Sequence, residues 1–200
     1  MEFNQESILK ALSLMSSWEI LASILGIAYI LLLTKESLWA WVFGFFSTLI
    51  YTILFWEGAL VSSSLLNFYY MLMAFYGFYS WNRGTEDNKL KISSYKLSNH
   101  LEAITTGILF TLIIGYLSSN YTDAKFAYMD SFVMVFSIIA TWMVTQKILE
   151  NWIYWIIVDL VAIVLYWNSG YLATVVLFMV YITLGSFGYF KWRKEFNDHN

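Results

Sequence analysis

Trp152-Ile153-Tyr154-Trp155-Ile156-Ile157-Val158-Asp159-Leu160-Val161-Ala162-Ile163-Val164-Leu165-Tyr166-Trp167 is an apolar run broken by a single charge, with a tryptophan at each end. Aromatic-flanked apolar runs of this kind read as membrane-spanning helices. Another such run, Trp41 to Trp56, lies about 111 positions earlier in the chain and is also bounded by tryptophan. Together the two runs predict an all-α integral membrane protein built by internal duplication.

Five further segments complete the pattern, giving spans at about Trp18–Thr34, Leu38–Trp56, Leu60–Trp81, Leu101–Ser118, Asp130–Gln146, Trp152–Trp167 and Tyr171–Trp192. Composition agrees. Of 200 residues, 60% are hydrophobic and 12% charged, and the mean hydropathy is +0.61. An average soluble chain carries about 25% charged residues. Seven spans would use about 140 positions and leave no room for a soluble domain. No proline is present, so the helices should lack proline kinks, unlike transporters built on broken helices. There is no cysteine, which excludes disulfides and thiolate metal sites. His100 and His199 fall in a polar loop and at the C-terminus, and no metal or cofactor motif appears. The net charge of -3 gives nucleic-acid binding no support. Residues Phe3–Met15 could form an interfacial helix or a tail; they lack the features of a signal peptide.

Basic residues set the orientation. With the N-terminus outside, the inner segments hold Lys35, Arg83, Lys89, Lys91, Lys96, Lys147, Lys191, Arg193 and Lys194. The outer side holds only Lys10 and Lys125. The expectation is N-terminus out, C-terminus in.

The repeat is carried by tryptophans, since leucine matches are cheap in apolar sequence. Trp41 falls on Trp152, Trp56 on Trp167 and Trp81 on Trp192; Tyr70 falls on Tyr181 and Gly77 on Gly188. Spans 1–3 thus match spans 5–7, and span 4 is left over. An odd linker restores parallel orientation to an odd-numbered repeat. The expected plan is 3+1+3: a tail (1–17), a first three-helix bundle (18–81), a charged loop plus linker helix (82–127), a second bundle (128–194) and a C-terminal tail (195–200). The two bundles would be parallel, related by an axis along the membrane normal. In span 4, Gly107, Thr111 and Gly115 form a small-residue seam for close helix packing.

Helical spacing selects the inward faces. On span 3, Ser63, Asn67, Tyr70, Ala74, Gly77 and Trp81 share a side; Thr174, Phe178, Tyr181, Gly185, Gly188 and Trp192 repeat it on span 7. The glycines read as packing positions. Trp81 and Trp192 read as anchors at the membrane boundary. On span 6, Trp152, Trp155, Asp159 and Tyr166 share a face whose first-repeat equivalents are Trp41, Gly44, Thr48 and Phe55. Symmetry therefore breaks where Gly44 becomes Trp155, Thr48 becomes Asp159 and Asn67 becomes Phe178. A duplicated scaffold holding an asymmetric molecule should differ between halves where that molecule sits. A carboxylate among aromatic rings suits a flat cationic heteroaromatic ligand. An aspartate bonding two helices together is the alternative. The expected substrate-binding set is Asn67, Tyr70, Trp152, Trp155, Asp159, Tyr166 and Tyr181. Ser63, Thr48, Ser137, Thr141 and Thr174 would line the pathway, although such hydroxyls also bond their own helix.

Two stretches resemble a known family. Leu65-Leu66-Asn67-Phe68-Tyr69-Tyr70, followed by Tyr76-Gly77-Phe78-Tyr79-Ser80-Trp81, is similar to the third-helix signature of the PnuC family of bacterial vitamin transporters. So is Glu150-Asn151-Trp152-Ile153-Tyr154-Trp155-Ile156-Ile157-Val158-Asp159, with Leu165-Tyr166 and Gly170-Tyr171 after it. The resemblance covers about residues 18–194 and implies a SWEET-like duplication. It implies facilitated diffusion of a dephosphorylated vitamin precursor across the bacterial inner membrane, by default nicotinamide riboside. A cytoplasmic vitamin kinase would then trap it. Related branches carry thiamine or other B vitamins. Nicotinamide riboside carriers of the family tend to have Gln where this chain has Asn67, which gives thiamine weight. Outside the family, a seven-helix receptor or channel is the rival reading; a retinal protein would need a mid-span lysine, and Lys147 and Lys191 lie at span ends. An enzyme is not expected, since no catalytic constellation is present. The sequence leaves oligomeric state open, a homo-oligomer included.

Overall fold

A computed structural model describes residues 15–57, 61–83, 90–169 and 172–198, together with positions 6, 9 and 13. Seven helices make up nearly all of it: α1 (Ser17–Leu33), α2 (Trp39–Glu57), α3 (Val61–Asn82), α4 (Leu97–Tyr121), α5 (Ala127–Thr145), α6 (Asn151–Ser169) and α7 (Leu172–Asp198). Each coincides with one expected span. Most of the expected Phe3–Met15 helix, with Lys10, Lys89, Gly170–Tyr171 and His199, lies outside the described residues.

Five helices, α2 and α4 to α7, are long and apolar enough to cross a membrane. The apolar α1 is shorter. In α3 the serines at 62–64 and Asn67 dilute the apolar character. Ser16 and Glu19 form a reciprocal capping box at the start of α1, satisfying two backbone donors that the helix leaves open. At α4 the helix begins at Leu97, four residues before the apolar run. His100 therefore stands on a helix and not in a loop. The last helix continues through the charged residues after Lys191, since no glycine or proline stops it.

α2 packs against both α1 and α3, and α6 against both α5 and α7. α4 lies on α5. Contacts of α3 with α5 and of α1 with α7 join the two sets. The small-residue seam of α4 faces α5 as expected: a Cβ added at Gly107 would stand 2.6 Å from the Phe136 ring, and one at Gly115 2.4 Å from Tyr128.

The α1–α2 and α5–α6 turns repeat each other bond for bond. Glu36 N donates to Leu33 O and Ser37 N to Leu32 O; Lys147 N donates to Val144 O and Ile148 N to Met143 O. This is the helix-ending pattern that puts one residue in the left-handed region, usually glycine. Here the residues are Glu36 (φ 51°) and Lys147 (φ 52°). Ser93 pairs its backbone with this second turn, donating to Lys147 O and accepting from Leu149 N.

One expectation is corrected. Trp81 and Trp192 are not boundary anchors; they are 5% and 0% exposed. The cause is the glycine one turn earlier. A Cβ at Gly77 would stand 2.4 Å from the Trp41 ring, and one at Gly188 2.7 Å from the Trp152 ring. With no side chain there, each indole lies on the neighbouring helix backbone. Trp81 then meets Trp41 edge-on at 5.1 Å, and Trp192 meets Trp152 edge-on at 5.4 Å. Trp81 and Trp192 touch each other at 6.0 Å, closing a four-tryptophan cluster between the repeats. Trp18, Trp39 and Trp56 remain exposed, as anchors should.

Candidate functional site

The site is built on α6. Its helical register carries Asp159 to a position 3% exposed, where Oδ1 has no hydrogen-bond partner among the described residues. A buried polar atom without a partner is rare in native structures and calls for an explanation. Trp155, one turn before it, is half-buried and lies 6.3 Å from the Tyr70 ring of α3. Tyr70 lies near Ser137 on α5 and near Asp159 and Tyr166. Tyr166 stacks on Phe178 at 5.5 Å, and Phe178 meets Tyr181 edge-on at 5.9 Å. Tyr181 in turn lies within electrostatic reach of Asp159. The structure thus gathers Tyr70, Trp155, Asp159, Tyr166 and Tyr181 around one carboxyl group.

The other expected residues are placed differently. Trp152 is 2% exposed and packs on Gly188 and Trp192. Asn67 donates its amide to Ser63 O in its own helix at 3.0 Å. Thr48 donates to Gly44 O, and Thr141 to Ser137 O, so both hydroxyls are engaged locally. Ser63 and Thr174 are half-buried.

Two asymmetries escaped the sequence reading, although the repeat offset contained them. Gly26 is the equivalent of Ser137. In the second half Ser137 lies near Tyr70; in the first, Gly26 lets the Tyr181 hydroxyl come within 3.0 Å of where its Cβ would be. Tyr29 is the equivalent of Ala140. The Tyr29 ring fills the space over Gly44, 2.9 Å from a Cβ built there. In the second half the small Ala140 belongs to the cluster against which Trp155 packs. One large and one small residue exchange places between helices, and only the second half gains a projecting indole. A third missed group is Glu150. It accepts from Tyr95 N at 3.2 Å and from the Ser94 hydroxyl, and lies 4.0 Å from His100 Nε2. It ties the segment before α4 to the start of α6.

Two surface grooves lie elsewhere. One, of about 550 Å³, is lined wholly by apolar residues of α1 and α2, including Trp18 and Trp39. The other, of about 370 Å³, runs between α4 and α5 past Glu102 and Trp142. Neither contains the Asp159 group. The first has no polar atom to recognise a vitamin, and its residues face where lipid would lie. The Asp159 group is the better candidate, because a ligand there would meet a charge and several aromatic faces at once. Among the described residues no acidic or histidine cluster could hold a metal ion.

Comparison with known proteins agrees with this architecture. The sequence pattern of the nicotinamide mononucleotide transporter family matches residues 16–194. The riboflavin/roseoflavin transporter RibM of Streptomyces davaonensis is 28% identical over 87% of this chain and 83% of its own. The nicotinamide riboside transporter PnuC of Escherichia coli is 27% identical over 77% of this chain and 76% of its own. A crystal structure of the vitamin B3 transporter PnuC superposes with a TM-score of 0.76 at 19% identity, covering 100% of this chain and 95% of that one. The fold is the PnuC transporter fold.

Proposed function

The chain belongs to the nicotinamide mononucleotide transporter family, a family of membrane transporters and not of enzymes, and we propose that it carries a flat, cationic vitamin precursor across the bacterial inner membrane. Nicotinamide riboside is the leading substrate. Movement is by facilitated diffusion, and phosphorylation by a cytoplasmic kinase traps the product. All seven helices cross the membrane, with the N-terminus outside. They form two parallel three-helix bundles, 18–81 and 128–194, joined by the linker segment 82–127.

The observation that carries this reading is the buried, incompletely bonded Asp159 carboxyl beside Trp155 and the tyrosines. A pyridinium ring would stack on the aromatic faces while its charge is balanced by the carboxylate. Trp155 and Tyr70 supply the stacking surfaces. Tyr166, Tyr181 and Asn67 border the ligand, and Trp152 supports Trp155 from beneath. Ser63, Thr48, Ser137, Thr141 and Thr174 lie along the path to it.

Relatives named for both riboflavin and nicotinamide riboside make the choice of vitamin a matter for the site. The isoalloxazine of riboflavin is uncharged at neutral pH, so a buried carboxylate can accept hydrogen bonds from it but has no charge to balance. Thiamine is cationic and is the second reading, favoured by the shorter amide of Asn67. The test is uptake of labelled nicotinamide riboside, thiamine and riboflavin into proteoliposomes. The expected order is nicotinamide riboside above thiamine, with riboflavin last. Uptake of none of them by folded protein would defeat the transport reading.

A further inference from the structure

We propose that the Glu36–Lys147 ion pair latches the mouth of the path at the α1–α2 and α5–α6 turns, with the four tryptophans behind it as the plug. The proposal rests on the transport reading, since a gate presupposes a path.

The two residues are 111 positions apart, so they are repeat equivalents, and their side chains meet in an ion pair. A perfectly duplicated protein would bring two like charges together there. The opposite charges turn the point where the halves touch from repulsion into attraction. Both residues occupy the left-handed backbone region, at φ 51° and 52°. That conformation is costly for residues other than glycine. It is kept where a side chain is needed, and glycine would have removed the latch.

The surroundings are those of a closed seam. Lys147 is 8% exposed, and its Nζ also stands 4.7 Å above the Trp81 ring. Behind it, buried residues come in repeat-related pairs: Leu33 with Val144, Thr34 with Thr145, and Trp41 with Trp152. Trp192 Nε1 donates to Leu33 O at 3.3 Å, tying α7 to α1. Gln146 Nε2 donates to the Tyr76 hydroxyl at 3.2 Å, tying α5 to α3.

The same seam holds polar atoms without partners: the indole nitrogens of Trp41, Trp81 and Trp152, and Oδ1 of Asn151. Each is penalised while buried and gains a hydrogen bond once water enters. Opening is therefore favoured by hydration of these groups and opposed by the ion pair and the apolar packing. Removing one charge leaves the other without its partner, a buried one in the case of Lys147 and a half-buried one in the case of Glu36, which favours opening of the seam.

The chain has no cysteine, so a single introduced thiol reports without background. Ala40 is 0% exposed and sits in the plug. Ala40→Cys in detergent-solubilised full-length protein should react slowly with a bulky charged maleimide. Adding Glu36→Gln or Lys147→Met should raise that rate about tenfold or more. Exchanging the charges, Glu36→Lys with Lys147→Glu, should return it towards the slow value. Equal rates in the parent and both single variants, or an exchanged pair as fast as the singles, would overturn the latch. As a measurement independent of those variants, Glu36→Cys with Lys147→Cys joined by a short bis-maleimide should abolish uptake into proteoliposomes. Undiminished uptake after complete cross-linking would overturn the gate. Latch-dependent labelling in a protein that takes up no vitamin would instead defeat the transport reading alone.

Discussion

Gly77→Ala should destabilise this protein, and Gly185→Ala should not. Both replacements add one methyl group to a helix interior, where alanine gains about 1 kcal/mol over glycine in helix propensity. Their surroundings differ. At Gly77 the new Cβ would stand 2.4 Å from two atoms of the Trp41 ring and 2.5 Å from a third. Trp41 is 2% exposed and held by Trp81 and Tyr29, so the ring cannot swing aside. Overpacking of this kind costs about 1–3 kcal/mol. After the propensity gain the net loss is up to about 2 kcal/mol. At about 2–4 °C per kcal/mol, the melting midpoint should fall by up to about 8 °C. At Gly185 the nearest atoms are 3.6 and 3.9 Å away, which is ordinary contact. The first repeat already carries alanine there, as Ala74. Gly185→Ala should melt at or above the parent temperature. The assay is thermal unfolding in detergent, followed by the loss of monodisperse protein. A double-mutant cycle isolates the cause: Gly77→Ala should cost less in a Trp41→Phe background, because the clashing atoms belong to the outer ring of the indole. A Gly77→Ala variant that melts with the parent, or whose cost is unchanged by Trp41→Phe, would refute the packing argument.

Three other predictions follow the same logic. Gly107→Ala should lower the melting temperature more than Gly115→Ala, because Phe136 is 7% exposed and fixed while Tyr128 is 46% exposed and free to turn. Asp159→Asn should weaken equilibrium binding of nicotinamide riboside by about 1.5–3 kcal/mol, or roughly tenfold or more, and weaken riboflavin binding less; equal effects on both would assign the carboxyl a purely structural role. Trp155→Ala should weaken nicotinamide riboside binding by at least about 0.5–1.5 kcal/mol through lost stacking while the protein stays monodisperse, and unaltered affinity would move the ligand away from α6.

The sequence alone determined the number of helices and the small-residue seam of α4. These rest on periodicity and composition, which act along one chain and survive without knowledge of neighbours. It also picked out Asp159 and Trp155, because a charge inside an apolar run is conspicuous and a broken repeat points to a ligand. The fate of the tryptophans was not legible there. Trp81, Trp152 and Trp192 look like Trp18 and Trp56 in sequence, yet the first three are buried and the last two exposed. That difference depends on which helix face meets Gly77 or Gly188, a relation between segments distant in the chain. The exchange of Tyr29 and Gly44 for Ala140 and Trp155 was hidden for the same reason: each substitution is ordinary alone, and only packing shows the Tyr29 ring over Gly44 and Trp155 against the cluster that holds Ala140. Glu36 and Lys147 were two charges in two loops until the tertiary structure made them one ion pair. Local pattern fixes which segments become helices. Which side chains share a space is decided by how those helices pack.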